Sequence, residues 1–349
     1  MKNMKKMLAV LTVIALLAAL TACGTSASSA EASAAASAPE ATASAAEPAA
    51  NAETASGDSF NIGICQLVQH DALDAATQGF KDALTEKLGD KVKFDEQNAS
   101  GDSANCATII NGFVSSDVDL ILANATAPLQ AAAAATSEIP VLGTSVTDYA
   151  TALEISDWTG TVGTNISGTS DLAPLDQQAA MIKELFPDAK KVGLLYCSAE
   201  PNSVYQCDVM EEALKADGYE VTRYTFTDTN DVTSVTESAC ADSEVIYIPT
   251  DNTAASNTEA IANVVLPAKV PVVAGEEGIC KGCGVATLSI SYYDIGYKSG
   301  EMAYEILANG ADVKTMPVEF APEVTKKYNA ANCEALGLKM PEAYVAIEE

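Results

Sequence analysis

One histidine, one tryptophan and one arginine are all that 349 residues hold of those three types: His70, Trp158 and Arg223. A single imidazole leaves histidine-based hydrolysis with one residue to work from. Neither a G-x-S-x-G elbow nor an H-E-x-x-H zinc helix accompanies it. The G-x-x-x-x-G-K-[ST] phosphate loop is missing too, so the chain is not itself an ATPase of that kind. A lone arginine excludes a guanidinium cluster gripping phosphate. Basic residues are scarce altogether, 19 Lys and Arg against 48 Asp and Glu, for a formal charge of −29. Such a balance argues against nucleic-acid and anionic-lipid surfaces as partners. No metal and no cofactor is expected. The nearest pattern, Cys280-Lys-Gly-Cys283, lacks a second cysteine pair or histidines for zinc, and lacks a thioredoxin-like setting for redox work. A local disulfide or two free thiols is the expectation there. Nothing in the chain calls for catalysis.

What is present begins with a leader. Lys2, Lys5 and Lys6 precede an apolar run from Met7 to Leu20, too short to span a bilayer as a helix. That order reads as a secretory signal peptide over residues 1–22. It closes on Leu20-Thr21-Ala22-Cys23, which resembles the lipobox of bacterial lipoproteins. The resemblance implies that Cys23 is lipidated and anchors the protein on the outer face of the cytoplasmic membrane, or in a periplasm. Loss of the three leader lysines takes the charge of −29 to −32. Residues 23–58 are nearly all Ala, Ser, Glu, Thr and Pro, too poor in large apolar residues to fold, and read as a disordered tether. About 35 such residues reach on the order of 30 Å. Eight cysteines follow Cys23, in a compartment that permits disulfides, with no pairing legible.

From Ser59 onward, apolar runs alternate with helical patterns. Strands are expected near Phe60–Cys65, Val92–Gln97, Leu120–Ala123 and Pro140–Gly143, with helices near Asp71–Leu88, Ser103–Ser115 and Pro128–Thr136. After an irregular stretch the pattern resumes. Strands are expected near Val192–Tyr196, Glu220–Tyr224, Val245–Ile248 and Val270–Ala274, with helices near Ser203–Asp217, Asp231–Ala241 and Thr253–Leu266. Continuous runs such as DLILA and VIYIP suit parallel strands covered on both faces. The fold class is α/β, two doubly wound Rossmann-like lobes. Thr159–Asp171, Ala286–Ser291 and Pro317–Phe320 are the expected crossings of a three-strand hinge. The N-terminal lobe is expected to take 59–165 plus about 291–321, and the C-terminal lobe 166–290 plus about 322–349.

Ligands in such sheets lie beyond the carboxyl ends of the strands. In the first lobe those corners hold Gln66 to His70, Thr126 and Ser145, neutral groups that with free helix amides suit a carboxylate. In the second they hold Glu200, Asn202, Asp251, Asn252 and Glu276, an acidic set that suits an ammonium group. Together they would select an α-amino acid and close around it. Each residue taken singly reads equally well as a helix cap. His70, at the corner GICQLVQHDALDAATQGF, is either a ligand contact or a cap or hinge contact. Leu67, Trp158, Tyr292 and Tyr293 are the candidate apolar walls, with hinge packing favoured for Trp158.

GICQLVQHDALDAATQGF, NISGTSDLAPLDQQ, EPNS, IYIPTDNT and ISYYDIGYKSGEMAYEIL resemble, in order, segments of the tryptophan/tyrosine-type ABC transporter substrate-binding proteins. The similarity runs from about Ser59 to Tyr344. It implies a type I periplasmic-binding-protein fold, capture of an amino acid (often aromatic), and delivery to an ABC permease with its ATPase subunit; a monomer is expected. Gln69-His70-Asp71 departs from the Glu-His-Pro often found at that corner. The pair in EEGICKGC and Cys197 depart as well. A branched aliphatic amino acid, a nucleoside or sugar, or service as a ligand sensor subunit are the alternative readings.

Overall fold

The structure is a computed structural model describing residues 59–348. Cys23, the leader 1–22 and the tether 23–58 lie outside the described residues. In chain order the first part holds β1 (Phe60–Gln66), α1 (Asp71–Leu88), β2 (Val92–Asn98), α2 (Ser103–Ser115), β3 (Leu120–Asn124), α3 (Thr126–Ala135), β4 (Val141–Val146), α4 (Tyr149–Ala152) and β5 (Ile166–Ser170). Next come α5 (Leu175–Leu185), β6 (Lys191–Cys197), α6 (Pro201–Ala216), β7 (Glu220–Phe226), α7 (Val232–Asp242), β8 (Val245–Ile248), α8 (Asn252–Ala255), α9 (Thr258–Ala268), β9 (Val272–Ala274) and α10 (Glu277–Gly282). The chain ends with β10 (Ala286–Ser289), α11 (Tyr292–Asn309), β11 (Glu319–Phe320), β12 (Thr325–Tyr328), α12 (Ala330–Leu336) and β13 (Val345–Ala346).

The apolar runs form the sheet centres. Every residue of β3, LILAN, is buried, as is every residue of β8, VIYI. Two sheets result, ordered β2-β1-β3-β4-β5-β11 and β7-β6-β8-β9-β10-β12-β13. Pairing is parallel throughout, except between β10 and β12. In both sheets the order reverses beside the first strand, between β1 and β3 and between β6 and β8. Those switch points are where such folds keep their ligand crevices.

Helix α1 shows how tightly the first sheet is covered. Leu73, Ala76, Phe80, Ala83 and Leu84 make its buried stripe. It lies against α11 through glycines: a Cβ on Gly79 would stand 2.1 Å from the Tyr293 carbonyl oxygen, and one on Gly296 would stand 2.0 Å from that of Ala76. Only glycine permits that approach.

Sheet membership moves one expected boundary. β5 pairs with β4 and β11 in the first sheet, so residues 166–170 belong with the first lobe rather than the second. Its composition, ISGTS, reads as loop, yet all five residues are buried. The small side chains let Gly168, at φ 145, pass beside Gly143 and Tyr149. The chain therefore crosses between sheets at 171–174, 290–291 and 321–324. β10 lies in the second sheet and β11 in the first, so neither is itself a crossing. The single helix expected over Thr253–Leu266 is two, α8 and α9, parted at Ser256 and Asn257.

Candidate functional site

Strand β4 loses its register with β5 between Gly143 and Val146. Ser145 sits in that irregularity with φ 54, a left-handed backbone that serine adopts at a cost. At the end of the neighbouring strand, Ala125 has φ 104 and ψ 170, a region essentially reserved for glycine. Ala125 turns the chain from β3 into α3, whose first intrahelical bond runs from the Leu129 amide to the Ala125 carbonyl. The amides of Thr126 and Ala127 are left without helical partners, and Pro128 has none to offer.

Among the described residues, four buried side-chain oxygens have no hydrogen-bond partner: Asn124 Oδ1, Ser145 Oγ, Asp171 Oδ1 and Thr287 Oγ1. The first three stand at the carboxyl ends of β3, β4 and β5, three adjacent strands. Burying such a group unpaired costs about 1–3 kcal/mol. Three of them on one edge, beside two strained backbones, make this edge the candidate site.

Asp171 was expected only as part of a crossing, not as a site residue. It is 3% exposed. Its Oδ2 accepts from the Tyr292 hydroxyl at 2.9 Å, and its amide donates to the Val146 carbonyl, one residue past Ser145. Burial raises its pKa against the pull of the Tyr292 and Thr147 hydroxyls. The only signal in the sequence was a lone acid directly after the buried five-residue strand.

The residues singled out from the sequence divide. Gln66 is spent internally. Its amide donates to Asp74 at 2.6 Å and to the Val68 carbonyl at 2.9 Å, and its oxygen accepts from Thr77 at 2.6 Å. Thr126 and Ser145 lie at the strained edge, both buried. In the second lobe the acids are not free, contrary to expectation. Glu200 accepts from the amide and side chain of Asn252 at 3.0 and 2.8 Å, and from the amide and hydroxyl of Thr253, both at 2.8 Å. Asp251 caps α8 through the Ala254 amide at 2.8 Å and takes the Cys197 amide at 2.7 Å. Glu276 caps α10 through the amides of Gly278 and Ile279. Asn202 donates to Glu200 at 3.3 Å and to the Thr250 carbonyl at 3.0 Å. Helix capping has claimed these carboxylates, as their residue types allow.

Burial still makes them electrostatically uneasy. Asp251 is pushed up to about 8 by burial and then by Glu200, against its amide and Ser203 bonds. Glu276 is pushed up to about 7 by burial, against its two amides, with Glu277 and Asp171 adding to the rise. Asp171 and Glu276 thus feel each other across the lobes. Tyr292 lies by both, raised by burial and by those two acids.

His70 does not stand free either. Its Nε2 lies 3.2 Å from Asn252 Oδ1, joining the two switch points. Because Asn252 Nδ2 donates to Glu200, its oxygen faces the ring, and Nε2 must carry the proton. Burial lowers the His70 pKa against the Asn252 bond and the nearby Glu200, Asp74 and Asp71. Trp158 is half-buried on the first lobe's core with Leu153 and Val162, and Leu67 is inside that core. Tyr292 is buried, whereas Tyr293 is exposed and donates to Asp82 at 3.0 Å. A groove of about 600 Å³ on the hinge side draws on both lobes, with Ala72, Ala75, Glu276, Gly278, Tyr292 and Pro322 in its walls. Glu276 and Tyr292 connect it to the Asp171 cluster.

The eight cysteines of the described residues are free thiols, Cys280 and Cys283 included. Arg223 is paired on the surface with Asp208 at 2.8 Å and with Glu211. No helix among the described residues is long and apolar enough to cross a membrane.

Residues 61–348 match the ABC transporter substrate binding protein family. A tyrosine-binding protein of Clostridioides difficile (strain R20291) is 37% identical over 292 residues, 83% of this chain and 84% of its own. The structure of an ABC domain in complex with L-Trp from Streptococcus pneumonia is 30% identical with a TM-score of 0.78, covering 82% of this chain and 97% of that one. The ligand-free, open structure of a substrate-binding protein with adhesive properties from Clostridium difficile is 36% identical, with a TM-score of 0.63 over 83% and 100%. The lower score accompanies the higher identity. The chain belongs to the ABC transporter substrate-binding protein family and has its type I periplasmic-binding-protein fold.

Proposed function

We propose that this ABC transporter substrate-binding protein captures a free amino acid, with an aromatic side chain favoured, between its two lobes and delivers it to an importer. The carrying observation is the row of unpartnered buried oxygens on Asn124, Ser145 and Asp171 at adjacent strand ends. Beside them stand the open amides at the start of α3. Hydroxyl and amide donors suit a carboxylate without any cation, and the acidic surroundings of the hinge suit an ammonium group. Closure about the crossings at 171–174, 290–291 and 321–324 brings the halves together, and the His70–Asn252 bond belongs to that closed arrangement. The tyrosine-binding and L-Trp-bound relatives support an aromatic side chain. Lipidation at Cys23 would hold the protein at the outer membrane face beside its permease, acting as a monomer.

Thermal shift across the twenty amino acids, nucleosides and sugars tests the reading. A ligand at about 100 times its Kd adds roughly 2.7 kcal/mol of stability. That moves the midpoint by several degrees at this size. L-Tyr and L-Trp are expected to give the largest shifts. A response confined to sugars or nucleosides overturns the proposal, and one confined to Leu, Ile and Val replaces the aromatic ligand with an aliphatic one. Metabolic labelling with a fatty acid, lost in Cys23→Ala, checks the anchor.

A further inference from the structure

The acids expected to hold an ammonium group at the second lobe have given both oxygens to backbone amides or to side chains of their own lobe. Asp171, on the first lobe at the crossing itself, has not. Its Oδ1 is buried with no partner, while Oδ2 is fixed by the Tyr292 hydroxyl. None of the ion pairs among the described residues includes it. A buried carboxylate with one bare oxygen and no cation is unstable unless a cation arrives or a proton stays. Its backbone is tied to Val146, so the bare oxygen belongs to the same corner as Ser145 Oγ, another of the four orphans. Glu276, from the opposite lobe, adds negative potential once its own proton is lost.

We infer that Asp171 Oδ1 receives the α-ammonium group of the bound amino acid, with Ser145 Oγ and the α3 amides facing its carboxylate. The inference rests on the proposed function and sharpens it: both poles of the zwitterion are held at first-lobe strand ends, and the second lobe closes over them. Specificity follows from chemistry. A ligand lacking the charged amine leaves Asp171 unpaired and is rejected, however well its ring fits. Tyr292 is a positioning residue, aiming the carboxylate through its other oxygen.

The test compares three ligand sets on wild type and Asp171→Asn by calorimetry: L-Tyr and L-Trp; their amines tyramine and tryptamine; and their α-hydroxy acid analogues. Wild type is expected to prefer the amino acids over the hydroxy acids by at least about a hundredfold, the loss typical of a buried charge left unpaired. In Asp171→Asn that preference is expected to fall below about tenfold, through loss of amino-acid affinity. The variant's unliganded midpoint is expected to hold or rise, because a neutral amide replaces a buried acid, and that measurement separates loss of site from loss of fold. Tyr292→Phe keeps the carboxylate and is expected to lose affinity while keeping the amine preference. Undiminished preference in Asp171→Asn overturns the inference. A wild type that binds the amines but no amino acid overturns the amino-acid reading instead, and Asp171→Asn with the amines then decides the ammonium site. Binding of neither set overturns both.

Discussion

At the end of β4 in the first lobe, Ser145 holds a left-handed backbone and a buried hydroxyl that no described group bonds. At the end of β8 in the second, Asp251 holds an extended backbone, φ −125 and ψ 117, with both oxygens on amides. Both are polar residues at the carboxyl end of a buried parallel strand. One corner costs folding energy, about 1–3 kcal/mol for the orphaned group and a similar amount for the backbone. The other stabilises the fold. Polar residues at strand ends therefore do not form one class. Where the protein has already supplied the partner, the residue is part of the scaffold. Where strain and a missing partner coincide, the residue is the proposed ligand contact.

That contrast breaks most visibly in stability. Asp251→Ala strips the amides of Cys197 and Ala254 of their acceptor. At about 1–3 kcal/mol per stranded group, Tm is expected to fall by roughly 5 °C or more. Affinity measured well below Tm is expected to change by less than about tenfold. Ser145→Ala is expected to do the opposite: Tm unchanged or higher, affinity for the best amino acid lower by about tenfold or more, since it removes the proposed ligand donor and not a structural bond. Calorimetric binding and thermal melts on the same preparations give both numbers. If Ser145→Ala melts early and binds normally, the two corners are alike and the contrast fails.

How much of this was legible beforehand follows the same line. Continuous apolar runs announced β1, β3, β6 and β8, because a strand covered on both faces needs little else. β5 escaped because ISGTS is built of small residues whose burial depends on neighbours distant in sequence. The break between α8 and α9 at Ser256 and Asn257 was hidden within a helical pattern. At the site, position was readable and state was not. Thr126 and Ser145 could be placed at strand ends from the runs preceding them. Nothing in the letters tells that Ser145 has φ 54, or that Glu200 is already committed to Asn252 and Thr253. Asp171 was missed for the first reason: with β5 read as loop, it did not stand at a strand end at all.

A smaller effect shows in how stability depends on pH. Glu276 keeps its proton in the fold up to about 7, whereas a free glutamate loses it near 4.5. Between those values the native state binds more protons than the unfolded one, so unfolding free energy falls as pH rises through that window. The contribution is complete below the lower value and gone above the upper. Asp251, raised to about 8, acts in the same direction. The unliganded protein is thus expected to melt lower at pH 7.5 than at pH 5 from these two groups, and Glu276→Gln to flatten part of that slope. Melts in one buffer series decide it; a slope identical in the variant removes Glu276 from the account.

The smallest effect is expected at the bond joining the two corners. His70 donates from Nε2 to Asn252, which Glu200 holds in place. A neutral bond of this kind contributes about 0.5–1.5 kcal/mol, so His70→Ala should weaken ligand binding by a factor of about three to ten. Dissociation should carry most of the change if, as proposed, the bond forms on closure. The lowered pKa gives the sign with acid: as pH falls through the ordinary histidine range, an exposed imidazole takes a proton that the buried one resists, so opening gains and closure loses. Asp71, Asp74 and Glu200 face the ring and limit that loss. Wild type should therefore lose more affinity between pH 7 and pH 5 than His70→Ala does, the acids at Asp171 and Glu276 being common to both. Equal losses would mean that the imidazole stays closed whatever its charge, and would leave the two corners joined by packing alone.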